Sequence, residues 1–130
     1  MNNFSQAVCQ TLGEDLKSED VQTIQVNLGL LCNLSCRHCH VEANPKRPEV
    51  MTWETMQSVL HLAKALPKAR VDLTGGAPEL NPFFKDFVSA LRDSGHQVLV
   101  RTNLTVFFEA GQADTPEFLA SQGAHLVASL

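Results

Sequence analysis

Short apolar strands alternate with amphipathic helices along this chain, and that alternation limits the folds open to it. Strands are predicted to begin near residues 21, 70, 97 and 124, with a helix after each of the first three. The later strands are about 27 residues apart, a spacing typical of a compact strand–helix unit with short loops. Consecutive units of this kind give parallel strands joined by right-handed helical crossovers. We therefore predict an α/β fold with a parallel sheet.

Capping residues and apolar spacing define the predicted helix limits. Thr52 is the expected N-cap of the first crossover helix, and Pro67 ends that helix. Asn81 and Pro82 are predicted as the N-cap and first residue of the next helix. The apolar positions of this second helix recur at helical spacing and are expected to be buried; they are Phe84, Phe87, Val88 and Leu91.

The chain of 130 residues suffices for one modest domain, since domains commonly contain about 100 to 150 residues. Residues 1–20 are predicted as an N-terminal helical segment, and residues 21–130 as the core domain. The sequence ends within an apolar strand predicted over residues 125–130, where an open edge would expose unpaired backbone groups. A closed eight-unit barrel needs about 250 residues. We therefore expect the N-terminal part of a longer protein, with a partial (β/α)6 TIM-like barrel.

Charge and hydropathy argue against several classes of partner. Ten Lys and Arg residues against fourteen Asp and Glu residues give a net charge of −4, and no basic cluster is present that could neutralise a row of phosphates. No apolar run approaches the roughly 20 residues needed to cross a bilayer, and the N-terminus lacks the features of a secretory leader. We therefore expect a cytoplasmic protein that binds neither nucleic acid nor membrane.

Three of the four cysteines lie within eight positions. Cys32, Cys36 and Cys39 form a C-x3-C-x2-C run after the first predicted strand, while Cys9 stands apart in an apolar stretch. Cytosolic thiols remain reduced, so a cysteine cluster there indicates metal or redox chemistry more often than disulfides. The spacing lets a short loop supply three thiolates to a [4Fe-4S] cluster and leaves the fourth iron open. Cys9 is expected to be a small buried hydrophobe.

Three loops with ligand-type residues are predicted at the same end of the sheet. The cysteine loop follows the first strand, Gly75-Gly76-Ala77-Pro78 follows the second, and Thr102-Asn103 follows the third. In parallel α/β sheets, ligands bind beyond the carboxyl ends of the strands. The convergence of these loops is therefore stronger evidence for a site than any one motif. Asp72 is the one charge within its apolar strand and is expected to need a partner if it is buried.

Other interpretations of the cysteine run remain open at this point. The run contains C-x-x-C-H, the attachment pattern for haem c, but that pattern requires export and does not use the first cysteine. A non-catalytic zinc-binding domain could use the three cysteines with His38 or His40, because zinc accepts sulfur and nitrogen ligands. It would leave Gly75-Gly76 and Asn103 unexplained. A thioredoxin-like C-x-x-C pair would need a helix directly after the strand, whereas the helix is predicted only from Thr52.

The combined motifs resemble those of the radical S-adenosylmethionine (radical SAM) superfamily. They are C-x3-C-x2-C after an N-terminal strand, a Gly-Gly turn followed by Pro after the next strand, and an Asn just past a later strand. Within that superfamily, the chain is most similar to the arsenosugar biosynthesis radical SAM proteins. The strings that carry this likeness are N-L-G-L-L-C-N-L-S-C-R-H-C-H-V-E-A, D-L-T-G-G-A-P-E-L-N-P and R-T-N-L-T.

The resemblance implies the cofactors and their chemistry. Cys32, Cys36 and Cys39 would ligate a [4Fe-4S] cluster, and S-adenosyl-L-methionine would chelate the open iron through its amino and carboxylate groups. An electron from the cluster would cleave the sulfonium to methionine and a 5′-deoxyadenosyl radical. The implied partners are an electron donor such as flavodoxin or ferredoxin and a small-molecule substrate. In the arsenosugar proteins that substrate is a methylated arsenical, which receives the 5′-deoxyadenosyl group.

The resemblance also implies residues that contact S-adenosyl-L-methionine. His38 stands where the superfamily commonly has an aromatic residue near the adenine, and Asn103 would be a further cofactor contact. A turn of small residues would approach the methionine amino group through its backbone; it consists of Gly75, Gly76, Ala77 and Pro78. The superfamily turn usually reads Gly-Gly-Glu-Pro. Here the third position has no carboxylate, and Glu79 lies just beyond the proline.

Overall fold

The computed structural model describes residues 2–15 and 17–129, which form helices that alternate with parallel strands. In chain order the elements are α1 (Asn3–Leu12), β1 (Thr23–Asn27), α2 (Trp53–Ala65), β2 (Arg70–Thr74), α3 (Phe84–Asp93), β3 (Val98–Thr102), α4 (Thr115–Ser121) and β4 (His125–Ala128). Short 3₁₀ helices, Pro78–Leu80 and Thr105–Phe108, follow β2 and β3. The predicted α/β class is confirmed.

Neighbouring strands are consecutive in the chain, since the sheet order is β1-β2-β3-β4 and every pairing is parallel. One apolar row crosses all four strands: Val26 lies opposite Leu73, Leu73 opposite Val100, and Val100 opposite Leu126. Consecutive parallel strands linked through helices are the building pattern of a β/α barrel. This architecture agrees with the predicted partial TIM-like barrel.

The main core lies between one face of the sheet and helices α2 and α3. From the sheet it takes alternate residues, such as Val71 and Leu73 of β2. From α2 it takes Met56 and Ala63, which lie seven positions apart on one helix face. The four predicted apolar positions of α3 are all buried, and they are Phe84, Phe87, Val88 and Leu91. Burying each such side chain contributes about 1.5 to 3 kcal/mol.

Helix α1 lies on the surface and contains no buried residue. Phe4 and Leu12 are 66% and 62% exposed, and Cys9 is only half-buried. The prediction that Cys9 is a buried hydrophobe is therefore wrong, because among the described residues α1 contributes none to the hydrophobic clusters. Gly13 ends α1 with a left-handed backbone conformation. Within the predicted helical segment, Met1 and Leu16 lie outside the described residues.

Asn81 is not the N-cap of α3, which begins at Phe84 after the first 3₁₀ helix. Its side chain is buried and joins separate segments instead. Nδ2 donates to the Leu28 carbonyl at 3.1 Å and to the Met51 carbonyl at 2.9 Å, and Oδ1 accepts from the Phe83 N–H at 2.9 Å. The capping prediction fails because these long-range partners compete successfully for the amide.

The edge of the sheet at β4 is exposed along its length. Leu126 and Val127 are 44% and 37% exposed, and Ser129 donates its backbone N–H to the Thr102 carbonyl at 2.9 Å. The strand was predicted to reach Leu130, which lies outside the described residues. None of the helices in residues 2–15 and 17–129 has the length and apolar character needed to span a bilayer.

Replacing Asn81 with Ala should lower the free energy of unfolding by about 1 to 3 kcal/mol, because two carbonyls would lose a buried donor. Urea denaturation of the purified protein measures this change. Asn3→Ala is the matched control, since Asn3 is exposed on α1 and its loss should cost at most about 0.5 kcal/mol. Equal losses in the two variants would contradict the structural role of Asn81.

Candidate functional site

Beyond β1 the chain leaves the sheet as an extended segment, residues 28–32, that ends at the first cysteine. A returning loop pairs with one side of this segment: the Leu30 N–H donates to the Glu49 carbonyl at 2.8 Å, and the Met51 N–H donates to the Leu28 carbonyl at 2.9 Å. The Cys32 N–H donates to the Asn44 carbonyl at 3.3 Å. The start of the cysteine loop is therefore held by backbone hydrogen bonds.

The Gly-Gly turn after β2 pairs with the other side of that segment. The Gly76 N–H donates to the Gly29 carbonyl at 3.0 Å, and the Ala77 N–H donates to the Leu31 carbonyl at 2.9 Å. A Cβ on Gly76 would lie 2.5 Å from the Leu31 oxygen, so only glycine allows this approach. The positive φ of the turn, 142°, belongs to Gly75. The small residues thus meet the cysteine loop, and their predicted contact with a cofactor stays a prediction.

The three cysteines of the loop differ in burial. Cys32 is buried, Cys39 is half-buried and Cys36 is exposed. Two of the sulfurs already accept backbone N–H donors: Leu34 donates to Cys32 Sγ at 3.4 Å, and Ala43 donates to Cys39 Sγ at 3.3 Å. The backbone of the cysteine loop therefore holds these two sulfurs in place.

The loop after β3 also reaches the cysteine loop. Asn103 Nδ2 donates to Asn33 Oδ1 at 2.8 Å and lies 3.7 Å from Cys32 Sγ. Beneath these polar groups, a small apolar cluster joins residues from all three loops, and its buried members are Cys32, Ala43, Ala77 and Val106. The predicted convergence of the three loops is therefore confirmed. Asn33 was missed in the sequence, although it directly follows the first cysteine.

The three cysteines of the loop have the ligand chemistry of an iron–sulfur cluster. In the part of the chain that the structure describes, no three His, Cys, Asp or Glu side chains converge closely enough to hold a metal ion. Cys36 and Cys39 nevertheless border a cavity of about 580 Å³, and two cysteine sulfurs already receive N–H donors. Thiolates are the usual ligands of such clusters. The three cysteines would hold the cluster, and that assignment remains a prediction.

The remaining predicted residues take different positions. His38 is exposed, and its predicted place near the adenine stays a prediction. Pro78 is buried at the start of the 3₁₀ helix after the turn.

Asp72 is 5% exposed and has the partner that its burial requires, since Arg101 Nε and Nη2 donate to its carboxylate at 3.0 and 2.8 Å. This hydrogen-bonded carboxylate raises the pKa of Arg101 above its ordinary value.

Glu79 is a buried carboxyl group to which the sequence assigned no role. It is 3% exposed, and among the described residues neither carboxylate oxygen has a hydrogen-bond partner. Burial raises the pKa of Glu79 above its ordinary value because the charged form loses its hydration, and the neighbouring Thr102 hydroxyl counteracts part of this rise. Glu79 therefore favours the neutral form more than an exposed glutamate does.

This geometry agrees with a comparison against known protein families. The model for the Radical SAM superfamily matches residues 26–128, which include all three loops. The chain belongs to the radical SAM superfamily. Members of this superfamily use a [4Fe-4S] cluster and S-adenosyl-L-methionine. The zinc-binding alternative is not favoured, because the match extends from β1 to β4 instead of stopping at the cysteines.

Curated relatives include proteins named probable GTP 3′,8-cyclase. The protein from Pyrococcus horikoshii is 28% identical over 88 residues, which cover 68% of this chain and 28% of that protein. The protein from Thermoplasma volcanium is 30% identical over 78 residues, which cover 60% of this chain and 24% of that protein. The crystal structure of Streptococcus suis SuiB superposes with a TM-score of 0.61 at 18% identity, covering 78% of this chain and 22% of SuiB, and shows the shared fold. The chain spans less than a third of the length of these relatives.

Gly76→Ala should impair cluster assembly, because the added Cβ would lie 2.5 Å from the Leu31 oxygen and 3.0 Å from the Ala43 Cβ. We expect less iron per protein after anaerobic reconstitution. Gly111→Ala is the control, since Gly111 has open space around it but a positive φ of 79°. It should cost about 1 to 2 kcal/mol of stability and leave iron binding unchanged. Full iron content in Gly76→Ala would contradict the close approach.

Glu79→Gln should stabilise the protein at neutral pH, because it removes a charge that burial disfavours and that the Thr102 hydroxyl offsets only in part. The folded-state pKa of Glu79 is raised from 4.5, so the wild type loses stability as the pH rises from about 4.5 through that folded-state pKa. The advantage of Glu79→Gln should therefore be absent at acid pH and grow over this range. Chemical denaturation at several pH values measures it, with the exposed Glu14→Gln as control. A difference that does not change with pH would contradict the assignment.

Proposed function

We propose that this chain supplies the cofactor-binding part of a radical SAM enzyme that transfers the 5′-deoxyadenosyl group of S-adenosyl-L-methionine to a methylated arsenical. The observation that carries the proposal is the meeting of the cysteine loop, the Gly-Gly turn and Asn103 at one edge of a parallel sheet. Superfamily membership supports the class of chemistry. The motif strings shared with arsenosugar biosynthesis proteins support the substrate.

The cluster, when bound by Cys32, Cys36 and Cys39, supplies the electron that cleaves the cofactor. The chain places the three thiols on one loop beyond β1, and β2 and β3 carry the two loops that brace it. The apolar cluster beneath the cysteines keeps water away from this side of the loop. The partners in this proposal are a small arsenical and an electron donor such as flavodoxin or ferredoxin, with no nucleic acid and no membrane.

The Gly-Gly turn is suited to bind an amino group through its backbone. Ala77 is 3% exposed and packs in the apolar cluster, so it cannot reach out to a ligand. In the described part of the chain, the carbonyls of Gly75 and Gly76 accept no backbone hydrogen bond. These two oxygens are therefore available to accept from the methionine ammonium of the cofactor. Backbone recognition would replace the carboxylate that the superfamily usually has at position 77.

The names of the curated relatives give a second candidate substrate, GTP. Their identity to this chain is 30% or less, and the matches cover only 28% and 24% of those two proteins. A match of this extent has little bearing on the substrate. GTP is therefore a useful comparison substrate.

Replacing any one of Cys32, Cys36 or Cys39 with Ala should abolish assembly of the [4Fe-4S] cluster, because each thiolate would hold one iron. Iron analysis and the brown absorbance after anaerobic reconstitution measure this. Cys9→Ala is the matched control and should keep full iron, since Cys9 belongs to α1 and not to the cysteine loop. Equal iron in wild type and Cys36→Ala would overturn the proposed ligand set, and stoichiometric zinc in a colourless protein would favour the zinc-binding domain.

The proposed reaction is tested by an anaerobic assay of the full-length protein with dithionite and S-adenosyl-L-methionine. Parallel reactions contain dimethylated arsenic, GTP or no substrate. We expect an arsenic-containing nucleoside only with the arsenical, detected by mass spectrometry. Consumption of GTP would support the second candidate, whereas failure to cleave the cofactor under any condition would overturn the proposed enzyme class.

A further inference from the structure

A polar bridge joins the cysteine loop to the loop after β3, and its side chains are Asn33, Asn103 and Thr105. Asn103 Nδ2 donates to Asn33 Oδ1 at 2.8 Å, and Asn33 Nδ2 donates to Thr105 Oγ1 at 2.9 Å. The Thr105 hydroxyl donates to Asn103 Oδ1 at 3.1 Å, which closes the ring of contacts. The bridge links residues about 70 positions apart in the chain.

The bridge determines which way the Asn103 amide points. Asn103 Oδ1 accepts the backbone N–H of Val106 at 3.0 Å in addition to the Thr105 hydroxyl. With the oxygen turned toward these donors, Nδ2 must face the cysteine loop, where it lies 3.7 Å from Cys32 Sγ. The orientation of the amide therefore follows from its partners.

Two of the three cysteine sulfurs, those of Cys32 and Cys39, accept hydrogen bonds among the described residues. Cys39 Sγ accepts the Ala43 N–H, and Cys32 Sγ accepts the Leu34 N–H, both from the backbone of the cysteine loop. Among the described residues, Asn103 is the one side chain that donates to any of these sulfurs, and it comes from a different strand. The Cys32 thiol also donates weakly to Asn33 Oδ1 at 3.9 Å.

Hydrogen bonds to cluster sulfurs affect the reduction potential of the cluster. Reduction adds negative charge to the iron and sulfur atoms, and an N–H donor stabilises that charge. A donor at Cys32 therefore favours the reduced state. Residues that hold and orient ligands in this way commonly change the properties of a metal site without binding the metal.

We propose that Asn103 is a positioning residue that donates its amide N–H to the Cys32 sulfur and thereby raises the reduction potential of the cluster. Asn33 and Thr105 hold the amide in place. This inference rests on the proposed function, because it assumes that Cys32 ligates a [4Fe-4S] cluster. It adds to that proposal by naming Asn103 as the residue through which the loop after β3 affects the cluster.

The test uses reconstituted full-length protein and an anaerobic redox titration followed by electron paramagnetic resonance. Asn103→Leu keeps the shape of the side chain and removes the donor. It should lower the equilibrium constant for one-electron reduction by about three- to tenfold, or about 28 to 59 mV at about 59 mV per decade. Thr105→Val removes one of the two donors to Asn103 Oδ1 and leaves the Val106 N–H, so its equilibrium constant should fall by less than that of Asn103→Leu.

A second variant covers the case in which Asn103→Leu assembles no cluster. Asn103→Asp keeps the oxygen that accepts from Val106 and Thr105, and it replaces the donor with a negatively charged oxygen. It should lower the equilibrium constant at least as far as Asn103→Leu. Potentials equal to wild type in the Asn103 variants would overturn this inference alone. A wild-type protein that assembles no cluster would overturn the proposed function and this inference with it.

Discussion

Parallel pairing of four consecutive strands is the constraint on which the site depends. Each strand runs in the same direction as its neighbour, so the loops after β1, β2 and β3 emerge at one edge of the sheet. Adjacent strands lie about 4.8 Å apart, which brings these loops within side-chain reach of one another. The pairing of residues 28–31 with the turn at residues 75–77 extends the contact between β1 and β2 beyond the sheet. The cysteine loop therefore depends on the sheet for its position.

The larger features of the fold follow from sequence periodicity. The strand spacing and the helix at Thr52 could be predicted because they depend on local patterns of apolar and capping residues. Asn81 could not be placed in this way: its sequence pattern suits an N-cap, but its partners lie 30 and 53 positions away. β1 ends at Asn27, because the residues that follow it pair with a loop.

The candidate site could be predicted in its location but not in its contacts. The cysteine spacing, the Gly-Gly turn and Asn103 are visible as motifs, and parallel strand order brings them together. The predicted cofactor contact of Gly76 stays a prediction, and the structure adds a separate reason for glycine at this position, the nearby Leu31 carbonyl. Backbone-to-backbone approaches of this kind have no sequence pattern of their own. For the same reason, Asn33 could not be recognised before its partner across the loops was known.

Asp72 and Glu79 are both buried carboxyl groups, but only Asp72 forms an ion pair among the described residues. Asp72 points away from the core, as the alternation of side chains along a strand requires, and it pairs with Arg101 of the neighbouring strand. Glu79 belongs to the 3₁₀ helix after the turn and has no such pair among the described residues. The ion pair offsets the cost of burying the Asp72 carboxylate, whereas burial favours the neutral form of Glu79.

The contact between Asn103 and Cys32 joins residues 71 positions apart, and this separation has a consequence for the order of folding. A contact of such long range forms only after the intervening chain has been ordered, since closing a long loop costs entropy. During synthesis from the N-terminus, the cysteines leave the ribosome well before β3 exists. The cysteine loop thus reaches its final shape late, after three strands have paired, and until then its thiols remain accessible to metal ions and oxidants.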